Sequence, residues 1–225
     1  MTDLLGLIGM NRVKQQFARL YYHSKLAKNY DSETLPAFSY NAIFRANAGA
    51  GKSCVARMYF ELMKELGQIP KSSIFIEEAG SSLADRGADG LQTLLRSIRG
   101  SKGAVVCIDD AHQLLVSRAG RQALAALLPL TAQHETQYGR IVWILAGPSG
   151  VIDALLGARA VLLSRFPVRM TFDDFTEEEL LAMFLSKLKL FKRAATMTDQ
   201  VASARQYFLW KAYSPVSLSF CCLTG

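Results

Sequence analysis

The stretch that most narrows what this chain can become is ANAGAGKS, residues 46–53. It ends a short apolar run, NAIFRA, and opens a helical one, GKSCVARMYFELMKELG. It fits the pattern Ala/Gly-x-x-x-x-Gly-Lys-Ser/Thr, with Ala46 where glycine is commoner. Asn47, Ala48 and Ala50 fill the variable positions. Gly49 and Gly51 let the backbone turn so that several N–H groups face one anion. The N-terminus of the following helix adds partial positive charge at the same point. Lys52 is placed to reach the β- and γ-phosphates of a nucleotide, and Ser53 to ligate Mg2+. Cys54 follows them at the helix start. The bland alternative is a small-residue turn carrying a surface lysine.

A second stretch weighs against that alternative. VVCIDD, residues 105–110, is an apolar strand that ends in two carboxylates. Asp109 is suited to hold the water shell of Mg2+ on the Ser53 side, and Asp110 to polarise an attacking water. Alone, such a pair reads as a helix cap. One strand–helix unit after the glycine-rich loop, it reads as the second half of a Mg-ATP or Mg-GTP site.

The rest of the chain supplies a scaffold of the right kind. Helical spacing covers residues 9–29, with Val13, Phe17, Leu20, Tyr21 and Leu26 as its apolar positions. Strands are predicted at NAIFRA, SSIFIEE, GAVVCIDD, GRIVWILAG and PVRMTFDDF. Between them lie GKSCVARMYFELMKELG, the short GADGLQTLLRSIRG, GRQALAALLPLTAQHE with Pro129 as a kink or end, and VIDALLGA. Strands alternating with helices imply a parallel sheet with helices on both faces. Then comes TEEELLAMFLSKLKLF, in which Thr176 caps a helix with three glutamates at its positive end. TDQVASARQYFLWKAY suggests one more helix, and the last residues, SPVSLSFCCLTG, show no period.

A chain of 225 residues, half of them hydrophobic, is enough for one sizeable domain and a small appendage. The net charge of +7 permits an anionic partner. The basic residues are scattered without interleaved aromatics, so nucleic acid is not an expected partner. The four cysteines have neither zinc nor disulfide spacing, which fits a reducing, intracellular setting, cytoplasmic or nuclear. No leader is indicated, and no apolar run of about 20 residues suggests a membrane span. His23 and His134 have no partners at metal-ligand or triad spacing. His112 follows the carboxylate pair, either as an ordinary polar residue opening a helix or as one facing a γ-phosphate.

In order, LIGMNRVKQQF, the loop at 46–53, FIEEAGSSLADRGADGLQTLL, GAVVCIDDAHQL, ILAG and LLSRFPVRMTFDDFTEEELLAMF resemble AAA+ ATPases. The branch they resemble contains stage V sporulation protein K and red-type Rubisco activase, with fungal tandem-AAA proteins closest. The likeness covers roughly residues 4–190. It implies an α/β P-loop NTPase αβα sandwich with a five-stranded parallel sheet over residues 1–173, and a helical lid over 174–225. It also implies that Leu7, Ile8, Gly9 and Met10 touch adenine, and that Arg165 reaches a neighbouring subunit's γ-phosphate.

This chain departs from the family pattern in five places. Asp110 stands where the family has glutamate, which withdraws the carboxylate by one methylene; misplacements of that size cost on the order of 100-fold in rate. ILAGPSG offers Pro148 and then Ser149 where a polar sensor is usual. SLADRGADG lacks the aromatic of a pore loop, and Leu163 replaces a second arginine. The last segment does not complete a lid, and Arg205 lies too early to be its sensor arginine. The expectation is Mg-ATP binding with slow hydrolysis, driving conformational change in an oligomer. The partners would be ATP, further copies or other AAA modules in a ring, and a protein client. The alternative is a nucleotide-binding regulatory module that does not hydrolyse.

Overall fold

The computed structural model describes residues 6–29, 38–133, 136–158 and 160–190. Its frame is a five-stranded sheet in the order β2-β3-β4-β1-β5, every neighbouring pair parallel. The strands are β1 (Ala42–Arg45), β2 (Ile74–Ala79), β3 (Gly103–Asp109), β4 (Arg140–Gly147) and β5 (Val168–Thr171). The helices are α1 (Asn11–Asn29), α2 (Lys52–Glu65), α3 (Gly80–Ile98), α4 (Arg118–Leu130), α5 (Ser149–Ala158), α6 (Val161–Arg165) and α7 (Glu177–Leu190). A 3-10 turn, Ala111–Leu115, follows β3.

The central strands carry unbroken apolar runs because both faces are covered. Successive side chains alternate between two cores. On one face Phe44, Val105, Ile144 and Met170 meet Val13 and Phe17 of α1 and Val55 and Tyr59 of α2. On the other, Ile43, Val106, Ile108, Trp143 and Leu145 meet Leu91 and Leu95 of α3, Leu124 of α4 and Ile152 of α5. Each of the large side chains in these layers contributes about 1.5–3 kcal/mol by burial. The result is the αβα sandwich expected from the strand–helix alternation.

Three local expectations are corrected. In α1 the buried stripe is Val13, Phe17, Leu20 and Ser24, whereas Leu26 is 58% exposed. The third helix begins at Gly80, not Gly87, and bends at Gly87, which has φ 59° and ψ −142°. Its first part, GSSLADR, looks like a loop in composition, but Leu83 and Ala84 bury against the second core. The small residues there permit close approach, since a side chain at Gly80 would collide with the Asp110 carbonyl. The fifth strand is only four residues long and yields to an irregular segment before α7. The helix expected over residues 198–213, Arg205 and the final segment lie outside the described residues.

Candidate nucleotide-binding site

The glycine-rich loop hangs between two strands. Ala46 N–H donates to the Gly147 carbonyl at 3.0 Å, which ties the loop's root to the end of β4. Within the loop, Ala50 N–H donates to Asn47 O at 3.3 Å. Gly49 and Gly51 have φ of 79° and 83°, the left-handed region that glycine enters without penalty. Helix α2 then starts at Lys52, and no side chain caps its N-terminus. Its first turn therefore keeps outward-facing N–H groups, together with the positive end of the helix dipole.

Lys52 folds back over this loop. Its Nζ lies 3.5 Å from the Asn47 carbonyl and 3.8 Å from Asp109 Oδ1, with the side chain only 11% exposed. The loop and the end of β3 thus meet as the sequence suggests. Asp109 Oδ1 also accepts from Asp110 N–H at 3.0 Å. Asp110 is exposed and holds φ 49°, ψ 44°. Aspartate enters this region more readily than residues with longer side chains, which suits Asp110 to a tight exit from the strand. Ser53 sits in the first turn of α2 beside Lys52, and Cys54 is half-buried next to it.

The segment before the loop packs on it directly. Gly9 and Met10 have φ of 70° and 55°, and Lys14 Nζ donates to the Leu7 carbonyl at 2.6 Å. Leu7 and Met10 pack against the first core, and Ile8 lies half-buried between them. The Met10 Cε methyl lies 2.6 Å from where a Cβ on Gly51 would stand. With the left-handed φ at the same position, this close approach suits Gly51 to glycine.

The start of α7 closes the other side. Asn47 Nδ2 donates to both carboxylate oxygens of Asp174, at 3.0 and 3.1 Å. Arg12 pairs with Asp173 at 3.2 Å. Thr176 caps α7 reciprocally: its Oγ1 accepts from Glu179 N–H at 3.2 Å, and Glu179 Oε2 accepts from Thr176 N–H at 2.9 Å. The other Glu179 oxygen lies 2.6 Å from the Cβ position of Gly9. The sequence pattern alone does not mark Asp173, Asp174 or Glu179 as neighbours of the loop. Their spacing from it, well over one hundred positions, carries no local signal.

Arg165 lies elsewhere. It ends α6, its side chain is exposed, and it forms no ion pair among the described residues. Its carbonyl accepts from Ser39 Oγ at 3.3 Å and from Asn41 Nδ2 at 3.2 Å. Ser39 and Asn41 precede β1, whereas the loop follows it. The length of β1, roughly 13 Å for four residues, separates the Arg165 backbone from its own loop. Asn41, which reads from sequence as an ordinary first residue of the strand, is buried and fully used. It also donates to Thr131 O at 3.0 Å and accepts from Trp143 N–H at 2.9 Å.

The donor set suits Mg2+, which keeps most of its waters and needs few protein oxygens when a nucleotide supplies the rest. Ser53 and Asp109 are such oxygens, at the end of a cradle that glycines leave open. No cluster of three or more His, Cys, Asp or Glu side chains able to hold a metal occurs among the described residues. Cys107, two residues before Asp109 on β3, is no competitor: burial pushes its thiol well above the ordinary range, and the Glu77 and Asp109 carboxylates add to this. No helix among the described residues is long and apolar enough to cross a membrane.

Comparison with known proteins agrees with this geometry. The family model "ATPase family associated with various cellular activities (AAA)" matches residues 42–174, from β1 to the Asp174 that holds Asn47. The ESX-1 secretion system protein EccA1 of Mycobacterium leprae is 31% identical over 208 residues, covering 90% of this chain and 35% of that protein. EccA1 of Mycobacterium tuberculosis is 31% identical over 185 residues, 80% of this chain and 32% of its own length. Stage V sporulation protein K of Bacillus subtilis is 27% identical over 220 residues, 96% of this chain and 66% of that protein. The chain thus spans about a third of the length of the EccA1 relatives. Fold, loop and family match converge: the chain belongs to the AAA family of ATPases.

Proposed function

We propose that this chain binds Mg-ATP at the loop of residues 46–53 and hydrolyses it slowly within an oligomer of AAA modules. The observation that carries the reading is Lys52, held between the loop carbonyl of Asn47 and Asp109 at the uncapped start of α2. In this reading residues 46–54 form the nucleotide-binding segment, and Lys52 with the loop N–H groups other than those of Ala46 and Ala50 holds the phosphates. Leu7, Ile8, Gly9 and Met10 border adenine. Ser53, with Asp109 through water, would hold Mg2+, which when bound neutralises charge on the β- and γ-oxygens. Asp110 orients the attacking water.

Arg165 acts on a neighbour's γ-phosphate. Its exposure, and its backbone's separation from its own loop by the length of β1, favour a role in trans. Hydrolysis would then depend on assembly, and the energy would remodel a protein client. Nearness to fungal tandem-AAA proteins, and a division into a large part over 1–173 and a lid over 174–225, belong to the same proposal.

A second reading, a nucleotide-binding module without turnover, is favoured by Asp110. Its left-handed backbone and short side chain stand where the family's glutamate would reach further. One experiment separates the two. Purified chain is incubated with Mg-ATP, freed of unbound nucleotide and analysed for what remains, with Lys52→Ala alongside. Retained ADP with ADP accumulating in solution supports slow hydrolysis, and retained ATP alone supports the regulatory module. Retention by neither protein overturns both.

A further inference from the structure

Glu179 stands in the first turn of α7, half-buried, with only one carboxylate oxygen engaged. Oε2 accepts from Thr176 N–H at 2.9 Å, which is the capping bond. Oε1 has neither a hydrogen bond nor an ion pair among the described residues. It lies 2.6 Å from where a Cβ on Gly9 would stand, and the three atoms nearest to that point all belong to this carboxylate. A carboxylate only accepts, so Oε1 is an open place for an N–H donor.

Its surroundings say which donor. Met10, the neighbour of Gly9, abuts the phosphate loop, its Cε methyl 2.6 Å from the Cβ position of Gly51. A nucleotide base hangs one ribose away from its phosphates, so residues 7–10, packed on the loop, are placed to meet it. Leu7 and Met10 are half-buried and apolar, which suits them to the faces of a purine. Glu179 Oε1 is suited to its edge. The adenine amine at C6 can donate to it, whereas a carbonyl at C6 would set two acceptors against each other.

We propose that Glu179 Oε1 accepts from the 6-amino group of bound ATP, so that Glu179 selects the adenine base. The proposal rests on reading the loop as an ATP site. The test is equilibrium binding, with Mg2+, of three nucleotides: ATP, purine riboside triphosphate, which lacks the amine, and ITP, which has a carbonyl in its place. The proteins are the wild-type chain, Glu179→Ala, Glu179→Gln and Thr176→Ala. Wild type should bind ATP about tenfold more tightly than purine riboside triphosphate, the effect of one hydrogen bond to a charged acceptor. In Glu179→Ala the two affinities should agree within about twofold, since the acceptor is gone.

Thr176→Ala loosens the same cap but keeps Oε1, so its ratio of the two affinities should match wild type. In Glu179→Gln the amide oxygen is claimed by Thr176 N–H, which leaves the amide nitrogen toward the base. That donor should reverse the preference, from ATP to ITP. A wild-type ratio near one, or a ratio that survives in Glu179→Ala, overturns the role of Glu179 while leaving the ATP site standing. If Glu179→Ala fails to fold, the ATP and ITP affinities of Glu179→Gln decide the question in the same way. Wild-type protein that binds none of the three overturns the site reading and this proposal together.

Discussion

The Asn47 amide donates to both carboxylate oxygens of Asp174, joining the phosphate loop to the residues that lead into α7. The bond is exposed, so its contribution to global stability is small, about 0.2–1 kcal/mol. Its consequence is local. Asp174→Ala should speed amide hydrogen exchange in the first turn of α7 and in residues 46–50, with little change in melting temperature. Exchange mass spectrometry with unchanged rates at both places would show that the two elements are not coupled through this pair.

In the proposed mechanism Asp110 stands where the reach of its carboxylate would decide the rate. Asp110→Glu lengthens the side chain by one methylene, and turnover should rise, by up to about 100-fold if reach alone limits it. The left-handed backbone is less comfortable for glutamate, so stability should fall by no more than about 1 kcal/mol. Asp110→Asn should keep nucleotide binding and lose hydrolysis. Steady-state phosphate release measures turnover in all three proteins. Turnover in the Glu variant no higher than wild type would mean that another element, such as the Pro148 strand end, sets the rate.

Asn41 holds three backbone groups from three segments: Thr131 O, Arg165 O and Trp143 N–H. Asn41→Ala removes this partner from all three, leaving Arg165 O only Ser39 Oγ, and should cost about 3 kcal/mol. Asn41→Asp keeps the acceptor but buries a charge and loses the donors, so it should do no better. Urea denaturation reads both. Arg165 O would then be held by Ser39 Oγ alone, so an Asn41→Ala protein that still folds should show weaker ATP turnover only under assembling conditions, if Arg165 acts in trans as proposed.

Gly9 and Glu179 are in contact through a space that holds no Cβ. Gly9→Ala meets both a φ of 70° and the Glu179 carboxylate, and should destabilise by about 1–2 kcal/mol. Thr176→Ala removes a helix cap and should cost about 1 kcal/mol. Adding Glu179→Ala to Gly9→Ala relieves the collision but not the backbone strain, so the pair should be non-additive in thermal melts. Strict additivity would place the Glu179 carboxylate away from Gly9 in solution.

The sheet was legible because β1, β3 and β4 are apolar on both faces and bounded by glycine and carboxylate signals. The loop was legible because its chemistry is local: Gly49, Gly51, Lys52 and Ser53 lie within five positions. Asp109 followed from being the last residue of an apolar strand. What escaped was non-local or disguised. GSSLADR looks like a loop, but the buried Leu83 and Ala84 and the glycine contacts with the β3 end draw it into α3. Asn41 looks like the polar edge of a strand, yet its partners lie about ninety to one hundred and twenty-five positions away. Asp174 gives no warning of Asn47, because a carboxylate after a strand has many ordinary uses.

The strand order has a consequence for how the molecule is born. β1 finds its neighbours only in β4 and β5, since Ala42 pairs with Ile144 and with Val168. The loop's root is likewise fastened to Gly147. Pairings this distant are slow to close, because the loop entropy comes due before the contacts form. During synthesis, a ribosome that has released residues 1–130 has delivered every residue of the phosphate loop and of β3, yet β1 has no partner. The loop can take its shape only once β4 emerges, so ATP would act as a late reporter of folding, captured by chains that have closed the sheet and ignored by those that have not.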